Sequence, residues 1–588
     1  MFKLLKYIKA KQYILFALMA VFIVLQVYAE LKVPELFSKL INTITTSTTF
    51  DSAEMTRTAL IMLGYIVATL LIYFVITYLM AKFSATVAQT FRKVFYEKVM
   101  SLSQNEVKNF SPSSLITRTT NDISNIERFF SQGLRIFLTA PIMAGMAIVK
   151  ILNADLNLTL GTIAAVMVLV ITITVIFLVA IPKFKKIQTL LDKLNLTAKE
   201  SLTGIKDIRA FNKEGFHSKR FDEVAFDITK TSTFIDKVMS LLDPMIVFVL
   251  NSLVLFIYWF GAYLASKNVL NIGDILAFSQ YATMILFSLT SLTFVLIMLP
   301  RASVSAKRVN EVMTKEPSVI FNENIEKNAS KSTKNVVLEF KNVFFKYLGA
   351  KDDVLYNVSF NVKRGETVAF IGSTGSGKST LVNLIPRLYD ATEGQIFVDG
   401  KNIMDYSQKE LINKISYAPQ KAFLFKGTIK SNLLYGNENA TDEEIIKALE
   451  VAQAKNFVLK YEDGIDHDVA QGATNFSGGQ KQRLSIARVL IKKSDILIFD
   501  NSFSALDFKT DQKLRKAISK NFADATKIIV AQRVGTIMDA DKIIVLENGK
   551  VVGMGTHSQL IKNNKIYKEI AVSQLGEDAL KGENDEDK

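Results

Sequence analysis

Gly372-Ser373-Thr374-Gly375-Ser376-Gly377-Lys378-Ser379-Thr380 decides how the second half of this chain is read. Successive backbone N–H groups can curl around an anion only where Cβ atoms are absent. The lysine after the last glycine supplies a point charge for β- and γ-phosphates, and the Ser379 hydroxyl can ligate Mg²⁺. The context such a loop needs is present: the apolar run Thr367–Ile371 reads as a preceding strand, and a helical pattern follows over 379–388. A site for ATP or a close relative, with Mg²⁺, is the expectation. Beyond residue 336, apolar strands alternate with helices and Gly turns, which is the pattern of an α/β domain. Ile496-Leu497-Ile498-Phe499-Asp500 reads as a buried strand ending in a carboxylate, so Asp500 is expected to hold the Mg²⁺. Just before it, Phe476-Ser477-Gly478-Gly479-Gln480-Lys481-Gln482-Arg483 can open a helix whose N-terminal donors and positive dipole end face an anion.

The first half has a different character. Of 588 residues, 49% are hydrophobic and none is cysteine, and the formal net charge is +15. Apolar runs recur at 13–29, 58–81, 134–151, 156–181, 244–265 and 275–299, most of them near the roughly 20 residues a spanning helix requires. The third is the weakest, interrupted by Arg135 and Pro141, but without it the two long basic loops would lie on opposite sides. Six spans are expected.

Charge orients them. Lys3, Lys6, Lys9 and Lys11 precede the first span, seven Lys/Arg lie between the second and third, and twelve between the fourth and fifth. The other loops hold only Lys32, Lys39, Arg57 and Lys267. Cytoplasmic loops accumulate Lys and Arg, so both termini and both long loops are expected in the cytoplasm, and the positive charge points to a membrane rather than to nucleic acid. The basic start reads as an amphipathic helix on the inner surface, not a cleaved signal.

No Gly or Pro interrupts residues 65–111, and a helix of that length would run about 70 Å against roughly 30 Å of hydrocarbon, so it is expected to project far beyond the membrane. Residues 183–243 behave likewise, broken only at Gly204 and Gly215. The turning points Ser113-Ser114-Leu115-Ile116-Thr117-Arg118 and Gly204-Ile205-Lys206-Asp207-Ile208-Arg209-Ala210-Phe211 are where contact with the nucleotide domain is expected. The domain reading is a six-helix membrane domain over 1–315, a polar linker over 316–335, the nucleotide domain over 336–575, and an acidic tail, expected to be disordered, over 576–588.

Taken together, these residues resemble the ATP-binding cassette (ABC) transporters, specifically exporters that fuse six spans to one nucleotide domain, over nearly the whole chain. The family's signature matches Ser477, Gly478, Gly479 and Gln480, and its glutamine loop matches Gln420 in Tyr417-Ala418-Pro419-Gln420. Its D-loop matches Ser504-Ala505-Leu506-Asp507, and its adenine-stacking aromatic matches Tyr347. The resemblance implies that two nucleotide domains meet head to tail, each ATP lying between one chain's phosphate loop and the other's signature. Gln420 would sense Mg²⁺ and γ-phosphate, and Asp507 would reach across the dimer. This chain would then be half of a multi-pass transporter in a bacterial plasma membrane.

Two positions depart from the family. Asn501 stands where a Glu usually follows the strand's Asp, and Gln532, in Ile529-Val530-Ala531-Gln532-Arg533, stands where a His usually contacts the γ-phosphate. A neutral amide cannot take a proton from attacking water, a contribution worth roughly 10²–10⁴ in rate. The expectation is ATP binding with poor turnover, resembling the degenerate-site subunit of heterodimeric bacterial multidrug exporters, with an intact signature serving the partner's competent site. The alternatives are a homodimeric lipid or peptide exporter and an ATP-gated membrane protein that transports nothing. Glu30 and Arg135 are ionisable groups within membrane segments, where a charge is costly unless it faces a cavity or a partner, and abundant Met and aromatic side chains suit either a promiscuous apolar cavity for amphiphiles or contact with lipid.

Overall fold

The computed structural model describes residues 2–46, 52–152, 155–321 and 335–576, which form two compact units. One comprises Met1–Met100 and Ser113–Thr314, the other Ser101–Pro112 and Lys315–Lys588. Most of the expected linker (322–334) and of the acidic tail (577–588) lies outside the described residues.

In the first unit, among the described residues, six helical spans are long and apolar enough to cross a membrane. They are α1 (Ala10–Thr46), α2 (Ser52–Ser101), α4 (Pro112–Leu152), α5 (Leu156–Thr203), α7 (Glu214–Met239) continued by α8 (Leu242–Ser266), and α9 (Ile272–Met313). The short helix α3 (Gln104–Phe110) follows α2 and belongs to the second unit, and α6 (Ile205–Ala210) sits at the second turning point. Pro141, the weakness of the third run, lies inside the helix α4 without ending it. The central packing element is α9, whose buried Ala277, Ala282, Ala302 and Ala306 leave room for α1 and α4 to approach. One set of helix ends is pinned by polar contacts: the Ser38 hydroxyl donates to Asp274 at 2.6 Å, Asn42 accepts from the Gly273 N–H at 2.8 Å, and Glu35 accepts from both Lys32 and Lys150 at 2.6 Å. Gly273 is required there, because a Cβ would fall 2.3 Å from the Ser38 carbonyl oxygen.

The long helices break elsewhere than expected. Helix α2 stops at Ser101 instead of running on to 111, because Ser103 and Glu106 form a capping box: the Glu106 carboxylate accepts from the Ser103 N–H at 3.1 Å and starts α3. It is Ser101–Pro112, ahead of the expected turning point at 113–118, that groups with the second unit. The second projection breaks at Gly204 and again at Asn212, which takes a left-handed φ of 51°, whereas Gly215 lies inside α7.

The second unit holds two main sheets. One has the order β2-β1-β4-β5, from β1 (Val336–Phe345), β2 (Leu355–Lys363), β4 (Glu393–Val398) and β5 (Lys401–Asn402). The other contains β3 (Thr367–Ile371), β6 (Ile415–Ala418), β9 (Ile496–Asp500), β10 (Thr526–Val530), β11 (Lys542–Glu547) and β12 (Lys550–Gly555), in the order β12-β11-β3-β10-β9-β6, with β7 (Gly427–Thr428) and β8 (Asp468–Val469) forming a small separate ribbon. From β11 to β6 the second sheet is parallel, and its strands are apolar almost throughout because both faces are covered. Register pairs Val530 with both Phe370 and Asp500, and Ala418 with Phe499. The carboxyl ends of β3, β10, β9 and β6 therefore form one edge.

The Glu106 carboxylate, 1% exposed, also accepts from the Ser318 hydroxyl at 3.4 Å. Replacing Glu106 by Ala leaves the Ser103 N–H without its acceptor, at a cost of about 1–2 kcal/mol. The thermal unfolding midpoint of the purified chain is expected to fall by a few degrees, while Lys93→Ala, which removes only an exposed pair with Glu97, leaves it unchanged.

Candidate functional site

The phosphate loop runs from the end of β3 into α10 (Lys378–Leu384). Gly377 caps that helix at a left-handed φ of 96°, and a Cβ at Gly372 would fall on the Leu546 carbonyl oxygen, 2.0 Å away. Both positions therefore exclude side chains. The Lys378 ammonium donates to the carbonyls of Gly372 at 2.8 Å and Ser373 at 2.7 Å and reaches the Ser376 hydroxyl at 3.2 Å. Burial lowers its pKa, opposed by the charge of Asp500.

Asp500 ends β9 with both carboxylate oxygens engaged. The Ser379 hydroxyl donates to Oδ1 at 2.8 Å and the Tyr417 hydroxyl to Oδ2 at 3.1 Å. Burial pushes the carboxyl above its usual range, while those two bonds and Lys378 pull it down. Hard oxygens from Ser379 and Asp500, already within hydrogen-bond distance of each other beside a glycine-rich loop that opens a helix, fit Mg²⁺ and a polyphosphate. Tyr347 contacts the loop through Thr380, hydroxyl to hydroxyl at 3.0 Å, with its ring edge-on to Phe345 and Tyr389.

At the same sheet edge, Asn501 follows Asp500 directly. Its φ is 50°, its N–H donates to Val530 at 2.9 Å, and its carbonyl accepts from the Ser504 hydroxyl at 2.8 Å, so its backbone is fixed. Gln532 lies two residues beyond β10 and Gln420 two beyond β6, both exposed. Ser477 caps α11 (Gly478–Ile491) in a capping box with Gln480, and Gly479 faces Ala505 of the 504–507 turn. Asp507 caps α12 (Phe508–Asn521) by accepting from the Thr510 N–H at 2.9 Å, a bond that lowers its pKa. Phosphate loop, Asp500, Asn501, Gln420 and Gln532 thus share an edge. Residues 477–480 make no hydrogen bond to 372–380 among the described residues.

The family comparisons match this geometry. Residues 355–504 match the ABC transporter family, and residues 16–289 the ABC transporter transmembrane region. An uncharacterized ABC transporter ATP-binding protein of Mycobacterium tuberculosis is 35% identical over 89% of this chain and 90% of its own length.

This chain belongs to the ABC transporter family.

Further relatives include YfiB of Bacillus subtilis, an uncharacterized ABC transporter ATP-binding protein, 36% identical over 84% of this chain and 86% of its own. YgaD of the same organism, named a putative multidrug export ATP-binding/permease protein, is 31% identical over 82% and 83%. In fold the chain is similar to a bacterial Atm1-family ABC exporter with ATP bound, at a TM-score of 0.79 and 24% identity, covering 95% of this chain and 98% of that one. The ABC transporter is thus a multi-pass membrane protein with an ATP-binding domain.

Some participants were not assigned from sequence. Tyr417 was visible beside Gln420, but its bonds to Asp500 and to Asn383, at 2.9 Å, come from strand register. Lys108 of α3 donates to the Tyr389 hydroxyl at 2.8 Å and lies 5.6 Å from the centre of the Tyr347 ring; the bond to Tyr389 raises its pKa. Gln574, in α13 (Lys565–Leu575), brackets the Gln532 loop by donating to the Gln532 carbonyl at 2.7 Å and accepting from the Val534 N–H at 2.8 Å. Only the fold brings these residues to the site. If Tyr347 stacks the adenine, Tyr347→Ala weakens ATP binding about tenfold and Tyr347→Phe keeps it near wild type, read by titration with a fluorescent ATP analogue.

Proposed function

We propose that this ABC transporter is the low-turnover subunit of a heterodimeric exporter that moves drugs, lipids or other amphiphiles out of the cytoplasm or the inner leaflet of a bacterial plasma membrane. The carrying observation is the pair Asn501 and Gln532: two neutral amides, beyond β9 and β10, at the sheet edge that also carries the phosphate loop and Asp500. Lys378 and the N–H groups of 372–380 hold the β- and γ-phosphates, Tyr347 stacks the base, and Ser379, Asp500 and Gln420 hold Mg²⁺. The metal supplies charge neutralisation on the phosphate oxygens. The Asn501 amide can orient water by a hydrogen bond but accepts no proton at Oδ1, and the Gln532 amide cannot carry a charge toward the γ-phosphate. ATP binds and persists.

The signature works on the other side of a dimer. Apart from its own helix backbone and chain neighbours, no heavy atom of the described residues lies within 4 Å of the position a Gly478 Cβ would take, so its backbone is open to an approaching phosphate, and the dipole of α11 favours one. Asp507 reaches across the same junction. Helix α2 carries exposed Phe74 and Tyr78, and Leu202 and Phe211, which flank α6, are each 75% exposed. These surfaces suit docking on a second half-transporter. The Lys/Arg distribution supports cytoplasmic termini and long loops. ATP sandwiched between two nucleotide domains favours the closed arrangement by differential affinity, hydrolysis at the partner's site resets it, and the projecting helices carry the motion to the spans.

The test is ATP turnover by the purified chain alone and mixed with a half-transporter that has Glu and His at the positions of Asn501 and Gln532. Turnover is expected only in the mixture, and to be lost when the partner's Glu is replaced; brisk Mg²⁺-dependent turnover by this chain alone overturns the reading. In the isolated chain, the double variant Asn501→Glu with Gln532→His is expected to raise turnover by about 10²-fold or more.

A further inference from the structure

Inside the membrane unit lies a cavity of about 650 Å³ between α1, α4 and α9, and it unites the two ionisable groups that the sequence left unexplained. Glu30 and Arg135 both line it, with Thr139, Met143, Met284 and Phe287.

Neither charge meets an opposite charge of the protein among the described residues. Lys32, near Glu30 in sequence, is taken by Glu35 at 2.6 Å. The Glu30 carboxylate accepts only from Gln26 Nε2, at 3.1 Å, and has no cationic partner among the described residues. Arg135 lies 4.1 Å from the centre of the Tyr73 ring, and no carboxylate comes within ion-pair distance of it among the described residues. One buried polar atom of the lining is left over as well: the Thr139 hydroxyl has no hydrogen-bond partner among the described residues. Beside it, α4 departs from regular geometry over Phe129–Gly133, where the Leu134 N–H reaches back to the Phe129 carbonyl, five residues away, and Ser131 and Gln132 turn to the cavity. Opposite charges without an ion pair and an orphaned hydroxyl in the wall of one cavity are costly unless a ligand completes them.

We infer that this cavity binds a zwitterionic amphiphile, its cationic group on Glu30, its anionic group on Arg135, and its tail along Met143, Met284 and Phe287. This names the substrate class for the proposed exporter and rests on that reading for its transport role. A phospholipid-like headgroup and a betaine-type compound share this chemistry and differ in which charge lies nearer the tail.

The experiment is displacement of radiolabelled hexadecylphosphocholine from the full chain in an uncharged maltoside detergent. Competitors are an N-hexadecyl sulfobetaine, with the charges in reverse order, hexadecyltrimethylammonium and hexadecyl phosphate. The zwitterions are expected to bind about tenfold or more tighter than either singly charged compound. The better of the two zwitterions identifies the headgroup order. Glu30→Gln should remove the advantage over hexadecyl phosphate, Arg135→Gln the advantage over hexadecyltrimethylammonium, and Lys32→Gln neither. Equal binding of all four compounds by the unmodified chain, or affinities within about twofold in both Glu30→Gln and Arg135→Gln, overturns the proposal. A charge preference that ATP and Mg²⁺ leave untouched keeps the site and overturns the exporter reading. ATP-dependent release without charge preference does the reverse.

Discussion

The parallel pairing of β10 between β3 and β9 is the constraint on which the nucleotide unit depends. In a parallel sheet every strand ends at the same edge, and ligands gather there, where the loops diverge. Here the edge collects the phosphate loop after β3, Asp500 at the end of β9, Gln532 beyond β10 and Gln420 beyond β6. The Ser379–Asp500 hydrogen bond of 2.8 Å ties the first helix of the site to the end of β9, although β10 lies between their strands. Slipping β10 by one residue would turn its apolar side chains to the opposite faces and move the Gln532 loop off the edge.

The membrane unit uses polar contacts differently. Its strong ones gather toward the helix ends: Ser38 and Asn42 with Asp274 and Lys150 with Glu35 at one set, Ser305 with Asp122 and Arg118 with Glu311 at the other. Apolar surface gives little net attraction between helices in lipid, so such contacts and close packing of small residues set the arrangement. Between those ends, Glu30 and Arg135 have no oppositely charged partner among the described residues. Polar groups that fix a bundle are paired, and polar groups kept without a partner at the depth of a cavity are available to something that enters it.

Much of this was legible because the signals were chemical. The phosphate loop needs glycine where a Cβ would collide, as the Leu546 carbonyl shows at Gly372, and so it announces itself in sequence. The six spans were legible from apolar length, and Pro141 did not break its helix. The break after Ser101 was missed because a search for Gly and Pro overlooks capping: Ser103-Gln104-Asn105-Glu106 stops a helix by offering its backbone another set of bonds. Gly215 misled in the opposite direction, since a single glycine lowers helix propensity by only about 1 kcal/mol and tolerates a helix whose packing is otherwise sound. Lys108 and Gln574 had no local signal, and Tyr417, though beside Gln420, had none that tied it to Asp500; each reaches the site through register or long-range packing.

Asn501 and Gln532 differ from the rest of the edge in what they leave intact. Under the proposed reading, affinity for a nucleotide comes from the loop, Lys378 and the Tyr347 face, whereas proton transfer contributes roughly 10²–10⁴ in rate, or about 3–5 kcal/mol of barrier, and losing only the second would decouple binding from turnover. The backbone at Asn501 is consistent with a settled role for an amide there: φ is 50°, a conformation that Asn enters more readily than most side chains, and hydrogen bonds to Val530 and from Ser504 hold it. Under the proposed reading, such a site holds two nucleotide domains together through many turnovers of the other site. A clamp of this kind needs the binding half of the chemistry and is harmed by the catalytic half, which gives a physical reason for both amides to occur in one chain.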